Sequence, residues 1–408
     1  MKISYVTMQY PVPSETFCSL DIDALRKQGH ELSVHGLRYK HKLHERLIQE
    51  RGQKGLKVEN FSSKIFTLSV FFCFRHPFMF FSLLLWIFRF SILRPRHLFK
   101  SLLLVSSVAG HFLKIYKSKP DVVHLFWGHY PSMIGYLVKR FMPKTVLSQF
   151  LGAHDLVTNY PGSICLAKDV DLLFTHSRSN LPLLENLGID PERVNVVMRG
   201  TRLDIAHESD SEKFDQIDTP IFLTAARLIA EKGVDDVIRI FSEVHKLYPE
   251  AILNIAGDGP FKSELIRLAH DLGCANRIYF LGHIKQAVLA KIMSNSHFFI
   301  LMSRYPSERL PNVLKEAMYQ RCVVLTTNTP GIDELVDSGA SGFVVDKGDY
   351  VRGIDLTLES LRQPDKARLI AYRGRNHIKA NFDVEKSMKV YSKLWARALL
   401  EMCNPPEK

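Results

Sequence analysis

The chain has 408 residues, two to three times the usual domain length, so more than one hydrophobic core is expected. Its 46% apolar and 24% charged residues exclude disorder, a collagen-like fibre and a disulfide-stapled miniature. The formal charge of +12 lies wholly in the first half: residues 1–200 hold 26 basic and 14 acidic side chains, and residues 201–408 hold 28 of each.

Short β-rich runs alternate with helical stretches along the whole chain, the pattern of parallel α/β architecture. The N-terminus has one charge and few apolar residues before Gln9 and Pro11. It reads as a first strand over 3–7 rather than a signal peptide, which places the chain in the cytoplasm. A helix follows over 17–28 and a strand over 31–36. Six cysteines, Cys18, Cys73, Cys165, Cys274, Cys322 and Cys403, stand singly with no C-x-x-C pair, which fits a reducing compartment and no zinc knuckle.

From 61 to 120 there is no acidic residue, while Lys64, Arg75, Arg89, Arg94, Arg96, Lys100, Lys114, Lys117 and Lys119 are basic. Between them run two stretches dense in Phe and Leu. A membrane-spanning helix needs about 20 uninterrupted apolar residues. Arg75-His76-Pro77 splits the first stretch, and Arg89 with Arg94-Pro95-Arg96 closes the second. The segment therefore reads as apolar helix with basic punctuation, the composition of a helix lying on an anionic bilayer surface. Core helices with solvated basic residues are the plainer alternative. A nucleic-acid footprint competes for the same charge, but no binding motif accompanies it, and no nucleic acid is expected as partner.

Strands are expected again over 122–125, 146–150, 172–176 and 194–197, with a helix over 131–141 between the first two. The polar stretch 208–218 reads as a linker. A second series then begins. Strands over 221–224, 251–256, 278–281, 298–301, 323–326 and 342–345 alternate with helices, among them 234–248, 261–272 and 286–294. Two doubly wound α/β domains in series are expected, with a cleft where the carboxyl ends of their strands meet.

The residues with the clearest chemistry follow the strand at 298–301. Pro311 sits where a helix can start without losing a hydrogen bond. The free N–H groups of Asn312, Val313 and Leu314 would form a mouth for anions and hydroxyls. Glu308 precedes that mouth, and Glu316 lies about 7.5 Å further along the helix axis. The strand at 221–224 leads to Arg227 and Lys232, a guanidinium fork and a point charge of the kind a diphosphate needs. The strand at 251–256 ends in Gly257-Asp258-Gly259-Pro260, which lacks the third glycine of a dinucleotide fingerprint, and no Gly-Lys pair offers a P-loop.

From 221 to about 348, the segments ARLIAEKGVDDVI, LNIAGDGPFKSELIRLA, NRIYFLGHI, SERLPNVLKEAM and TPGIDELVDSGASGFVV resemble the nucleotide-sugar domain of family 4 glycosyltransferases. The opening YPVPSETF, followed by Leu25 and Gly29-His30, looks like the branch that builds bacterial exopolysaccharides and lipid-linked glycans. The resemblance implies the GT-B fold: two Rossmann-like domains facing across a cleft. It implies an acceptor-side domain over 1–205, a nucleotide-sugar domain over 206–385, and a C-terminal helix in 386–408 packing back on the first domain.

Carried over residue by residue, the resemblance puts Arg227 and Lys232 on the donor diphosphate. Glu308, Pro311 and the amides of Asn312 and Val313 would hold the transferred sugar, and Glu316 the ribose. Gly257 and the turn Gly282-His283-Ile284 would border the nucleotide, and Ser14, Glu15 and Thr16 the acceptor or phosphate loop. His154 in Leu151-Gly152-Ala153-His154-Asp155 stands near the family's first-domain histidine, with His124 and His129 as alternatives. The family has glycine where this chain has Arg309, and Arg199-Gly200 followed by Asp204 matches its domain-end motif weakly. The activity implied is retaining transfer from a nucleoside-diphosphate sugar to a lipid-linked glycan at the inner membrane face, with no metal or other cofactor. A sugar-nucleotide epimerase or hydrolase, or a non-catalytic sugar-binding homologue, is the alternative.

Overall fold

The computed structural model describes residues 1–13, 15–203, 211–214, 217–305 and 308–403, with backbone alone at 211 and 212. Ser14 and Asp204, named above, lie outside the described residues. The chain forms two compact units, one of Met1–Arg199 with the segment from Val384 onward, the other of Gly200–Asp383.

Unit 1 is built on seven strands, β1 (Lys2–Thr7), β2 (Glu31–Tyr39), β3 (Lys57–Phe61), β4 (Val122–Leu125), β5 (Val146–Phe150), β6 (Leu172–Thr175) and β7 (Val194–Val196). All are parallel, in the order β3-β2-β1-β4-β5-β6-β7. The order reverses between β1 and β4, the switch point at which doubly wound sheets bind ligands. Every residue of β4 and β5 is buried, as strands covered on both faces require.

Its helices are α1 (Thr16–Lys27), α2 (His44–Glu50), α3 (Ser63–Arg75), α4 (Pro77–Ser91), α5 (Pro95–Ser118), α6 (Ser132–Phe141), α7 (Ala153–Thr158), α8 (Pro161–Ala167) and α9 (Leu181–Asn186). The strand β3 was not anticipated, because five residues of which Lys57, Glu59 and Asn60 are polar give little apolar signal. The apolar stretch after it is three helices rather than two. Ser62 caps α3 by accepting from the Ile65 N–H at 3.4 Å, and prolines at the first turn start α4 and α5. The break at His76 bends α3 from α4 by 105°. By length and composition α5 could cross a membrane, but its stripe from Val105 to Ile115 is buried in unit 1.

Unit 2 has six parallel strands, β8 (Ile221–Ala225), β9 (Ile252–Ala256), β10 (Ile278–Gly282), β11 (Phe298–Leu301), β12 (Val323–Thr327) and β13 (Phe343–Val345), in the order β10-β9-β8-β11-β12-β13. The helices are α10 (Val234–Leu247), α11 (Lys262–Asp271), α12 (Gln286–Asn295), α13 (Asn312–Tyr319), α14 (Tyr350–Arg362) and α15 (Pro364–Asn381). On α10 the buried Val234, Val237, Ile238, Phe241 and Val244 recur at helical spacing and face the sheet. In the expected linker, Lys213 and Phe214 are instead docked. The Lys213 ammonium donates to the carbonyls of Met293, Gln320 and Arg321, and Phe214 is buried.

The last helix, α16 (Val384–Cys403), belongs to unit 1. Its Val384, Met388, Tyr391 and Trp395 form one buried stripe. Trp395 donates to the Ser148 hydroxyl at 3.0 Å, and Tyr391 stacks on Phe174 with ring centres 4.0 Å apart. Lys27 at the end of α1 pairs with Glu385 at 2.9 Å.

Candidate functional site

In unit 2 the loops leaving the carboxyl ends of β8, β9 and β10 are laced together by backbone hydrogen bonds. The Ala226 N–H donates to the Ala256 carbonyl at 3.1 Å, Leu228 to Asp258 at 3.0 Å, and Gly257 to Gly282 at 2.8 Å. This closeness requires glycine at 257, where φ is +131° and an added Cβ would lie 1.9 Å from the Ala226 carbonyl oxygen. Arg227 stands at the outer tip of this lacing. It is exposed, and its guanidinium has no partner among the described residues.

Lys232 comes from the turn Ala230–Lys232, which ends at Gly233 in the left-handed region. A Cβ at Gly233 would meet the Met302 carbonyl oxygen at 1.9 Å, so the turn is pressed against the loop after β11. That loop delivers Glu308, whose carboxylate pairs with the Lys232 ammonium and accepts from the Ser303 hydroxyl at 2.8 Å. The Tyr305 ring lies under the ammonium, 5.3 Å from its centre. Arg304 fixes the arrangement from behind. Its guanidinium reaches Asp235 at 2.9 Å and Asp236 at 2.5 Å, and its N–H donates to the Glu231 carbonyl at 2.7 Å.

Pro311 is the cap of α13 rather than its first residue, and the helix starts at Asn312. One expectation needs correcting. The Leu314 N–H is not free, because it donates to the Pro311 carbonyl at 3.1 Å. The amides of Asn312 and Val313 have no acceptor among the described residues, so the anion-binding mouth consists of two donors.

Glu316, one turn on, is half-buried and accepts from the Gln286 amide at 2.9 Å. Loss of surrounding water pushes its carboxyl up to about 7, against the pull of Gln286 and Lys315. Gln286 opens α12 just beyond Gly282, the exposed His283 and the half-buried Ile284, so the hydrogen bond ties that turn to α13. Arg309 is turned inward at 8% exposure and donates to the Glu308 carbonyl at 3.1 Å.

A second group gathers at the carboxyl ends of β1, β4 and β5 in unit 1. Buried Asp155 is its hub. It accepts from the N–H groups of Gly128 and Gly152 at 3.0 Å, from the His129 N–H at 3.1 Å, and from the His129 ring Nδ1 at 2.8 Å. With Nδ1 engaged, His129 is left with Nε2 for chemistry. His154 is exposed, its ring centre 5.8 Å from that of His129 and 6.1 Å from that of Trp127. The Trp127 indole donates to Glu15 at 3.2 Å, and burial raises the Glu15 carboxyl above the usual carboxylate value. Thr16 is the first residue of α1.

His124 does not belong to this group. It is buried against Trp395 and Tyr391, within 2.6 Å of the Ser148 hydroxyl, and burial lowers it to about 3. Arg199 packs its guanidinium among Phe17, Phe126 and Phe150, 4.3–4.7 Å from their ring centres, with Asp21 at 3.6 Å. Sequence reasoning missed Ser303, Gln286, Asp155 as hub and Trp127. Asp155 alone had a legible signal, since it stands three residues after Gly152 at the end of a strand.

Residues 207–377 match the family described as Glycosyl transferases group 1. The lipopolysaccharide core biosynthesis glycosyltransferase LpsE of Rhizobium meliloti is 24% identical over 286 residues, 65% of this chain and 79% of that protein. The alpha-D-kanosaminyltransferase of Streptomyces kanamyceticus is 31% identical over 134 residues, 33% of this chain and only 34% of that enzyme's own length. Among solved structures, Anabaena HepE in complex with UDP-glucose superposes with a TM-score of 0.70 at 17% identity, covering 97% of this chain and 100% of HepE. The chain thus has the GT-B fold of glycosyltransferases, and its residues 207–377 form a domain of the glycosyl transferases group 1 family.

Proposed function

We propose that the protein is a retaining glycosyltransferase that moves a sugar from a nucleoside-diphosphate sugar to a hydroxyl of a lipid-linked glycan. The observation that carries this reading is the Lys232–Glu308 pair on the loops that flank the two open amides of α13. A bound diphosphate gives Lys232 and Arg227 an anionic partner, and Glu308 is then available to accept hydroxyl protons from the sugar. The Asn312 and Val313 amides donate to the same sugar, and Glu316 accepts from the ribose.

Charge that grows on the diphosphate as the glycosidic bond breaks meets the Lys232 ammonium already held in place, the effect with the greatest leverage on such a step. The acceptor oxygen bonds to the anomeric carbon on the face the diphosphate leaves, and its proton passes to the departing phosphate oxygen. No metal or other cofactor is needed in this scheme, so transfer is expected to survive EDTA. His129, oriented by Asp155, with His154 beside it, would contact the transferred sugar, and Glu15 and Thr16 would border the acceptor.

A lipid-linked acceptor calls for a membrane surface, and unit 1 offers one. Phe74 is 84% exposed, Phe78 69%, Leu85 71% and Leu93 93%, among the exposed cations Lys64, Arg75, Arg89, Arg96 and Lys100. Exposed apolar surface on this scale marks an interaction site, and its cations favour an anionic bilayer. On this reading the protein works in the cytoplasm, peripheral to the inner face of the membrane.

Labelled UDP- and GDP-sugars, incubated with and without a polyprenyl-diphosphate-linked saccharide, test the proposal. Label should reach the lipid only when acceptor is present. Release or isomerisation of the sugar without acceptor would replace transfer with hydrolysis or epimerisation. Replacing Arg94, Arg96 and Lys100 by Glu should abolish co-sedimentation with phosphatidylglycerol vesicles, and unchanged sedimentation would remove the membrane from the scheme.

A further inference from the structure

A groove of about 650 Å³ runs along the flank of unit 1 between α4, α6 and α8. Its floor is aromatic and aliphatic. Trp86 stacks on Tyr136 with ring centres 5.0 Å apart, Phe90 packs on the edge of Trp86 at 5.5 Å, and Phe81 and Leu85 form the outer wall. The polar pair on the floor is joined by one hydrogen bond, the Ser82 hydroxyl lying 2.6 Å from the Tyr136 hydroxyl. A hydrocarbon chain laid on this floor gives up no hydrogen bonds to water, whereas a peptide's amides would exchange most of theirs for apolar contacts.

The rim is cationic. Arg89 and Arg140 lie over neighbouring phenylalanine rings, and no carboxylate is within ion-pair distance of either among the described residues. Lys139 is paired with Asp171 at 2.5 Å, and among the described residues Asp169 is the one acid lining the groove.

The groove also has a direction. At its start α4 touches Phe141, at the end of α6 (Phe78–Phe141 ring centres 6.2 Å apart), on the side where β5 begins. Just past its end, Arg94 donates to the Asn159 carbonyl at 2.6 Å, and His97 lies 3.1 Å from the Tyr130 hydroxyl. Both of those partners follow the carboxyl ends of strands. The groove thus leads toward the side of unit 1 that carries His129, His154 and Asp155.

We infer that this groove binds the chain of a single-chain prenyl-type lipid phosphate, with Arg89, near the end of α4, meeting the phosphate charge. The inference rests on the lipid-linked acceptor proposed above and names where unit 1 holds it. Volume and lining suit one apolar ligand with a few fixed polar contacts. Continuity with the exposed Phe78, Phe81 and Leu85 lets the chain enter from a bilayer lying against that face.

Equilibrium dialysis with monomeric labelled farnesyl phosphate, free of vesicles, reads the groove alone. Saturable one-to-one binding is expected, at least tenfold tighter than for farnesol. Cys165→Phe, which fills the groove from α8, should weaken it at least tenfold. The variant Arg89→Ala should erase the preference for phosphate over alcohol and keep farnesol binding. Vesicle sedimentation of Cys165→Phe should stay that of the parent. If farnesyl phosphate does not saturate, or binds Cys165→Phe as well as the parent, the groove assignment is wrong. In that event, retained sedimentation would leave the membrane reading standing. Displacement by dioctanoyl phosphatidylglycerol at equal concentration would overturn the choice of a single-chain lipid.

Discussion

Lys232 and Glu308 are each other's partner, so removing one does more than delete a contact. In Lys232→Ala the carboxylate keeps, among the described residues, the Ser303 hydroxyl, and the diphosphate loses a fixed cation. A fall in kcat/KM of about 10²–10³ is expected, the scale seen when one charge-stabilising donor is removed. The melting temperature should move little, because Lys232 is only part-buried. Full activity in Lys232→Ala would refute its role.

Glu316 makes a different prediction, because its carboxyl is pushed up to about 7. Ribose hydroxyls need it ionised, so the donor KM should rise as pH falls from 8 to 6, and Glu316→Gln should flatten that profile. Stability has the opposite sign. A carboxyl raised above its unfolded value favours the fold while protonated, and that advantage is lost as pH rises toward 7. Glu316→Gln should therefore melt higher than the parent at pH 8 and no higher at pH 4.5. These residues were legible because charged side chains beside a strand end and a proline stand out. Gln286 and Ser303 were not, since a single amide or hydroxyl carries no pattern until the fold brings it to a carboxylate.

Among elements, the strands of unit 2 were the most legible, because each is a short, mostly apolar run set between helices. The apolar stretch of unit 1 was read correctly as helical and basic, but α5 was not separated from it, and its covered stripe looks in sequence like the exposed faces of α3 and α4. Exposure alone tells them apart. If the exposed face of α3 and the turn after α4 lie at the surface, Phe74→Asp with Leu93→Asp should leave the melting temperature within about 1 °C, as substitutions at exposed sites usually do. The same pair should abolish vesicle sedimentation. A large drop in melting temperature would mean that these side chains are part of the core.

At the scale of the molecule, the two sheets were foreseeable from the alternation of strands and helices, while the return of α16 to unit 1 depended on family resemblance. Nothing in the sequence announced the histidines that the sheets bury. His35, His111 and His124 in unit 1 are each lowered to about 3 by burial, and His297 in unit 2 to about 4. Groups held below their unfolded value stabilise the fold above about pH 6.5 relative to acid, and each costs up to about 1.4 kcal/mol per unit as pH falls below that. Between pH 7 and 5 unit 1 should lose more stability than unit 2, read as the earlier loss of near-ultraviolet signal from Trp86, Trp127 and Trp395, all of them in unit 1. Equal losses would contradict the assignment.

Calorimetric titration of UDP- and GDP-sugars into the protein and into Lys232→Ala tests the donor grip most directly. One nucleoside diphosphate sugar should bind the parent at a single site and bind Lys232→Ala at least a hundredfold more weakly. Equal affinity in both proteins, or no heat from any donor at millimolar concentration, would contradict it.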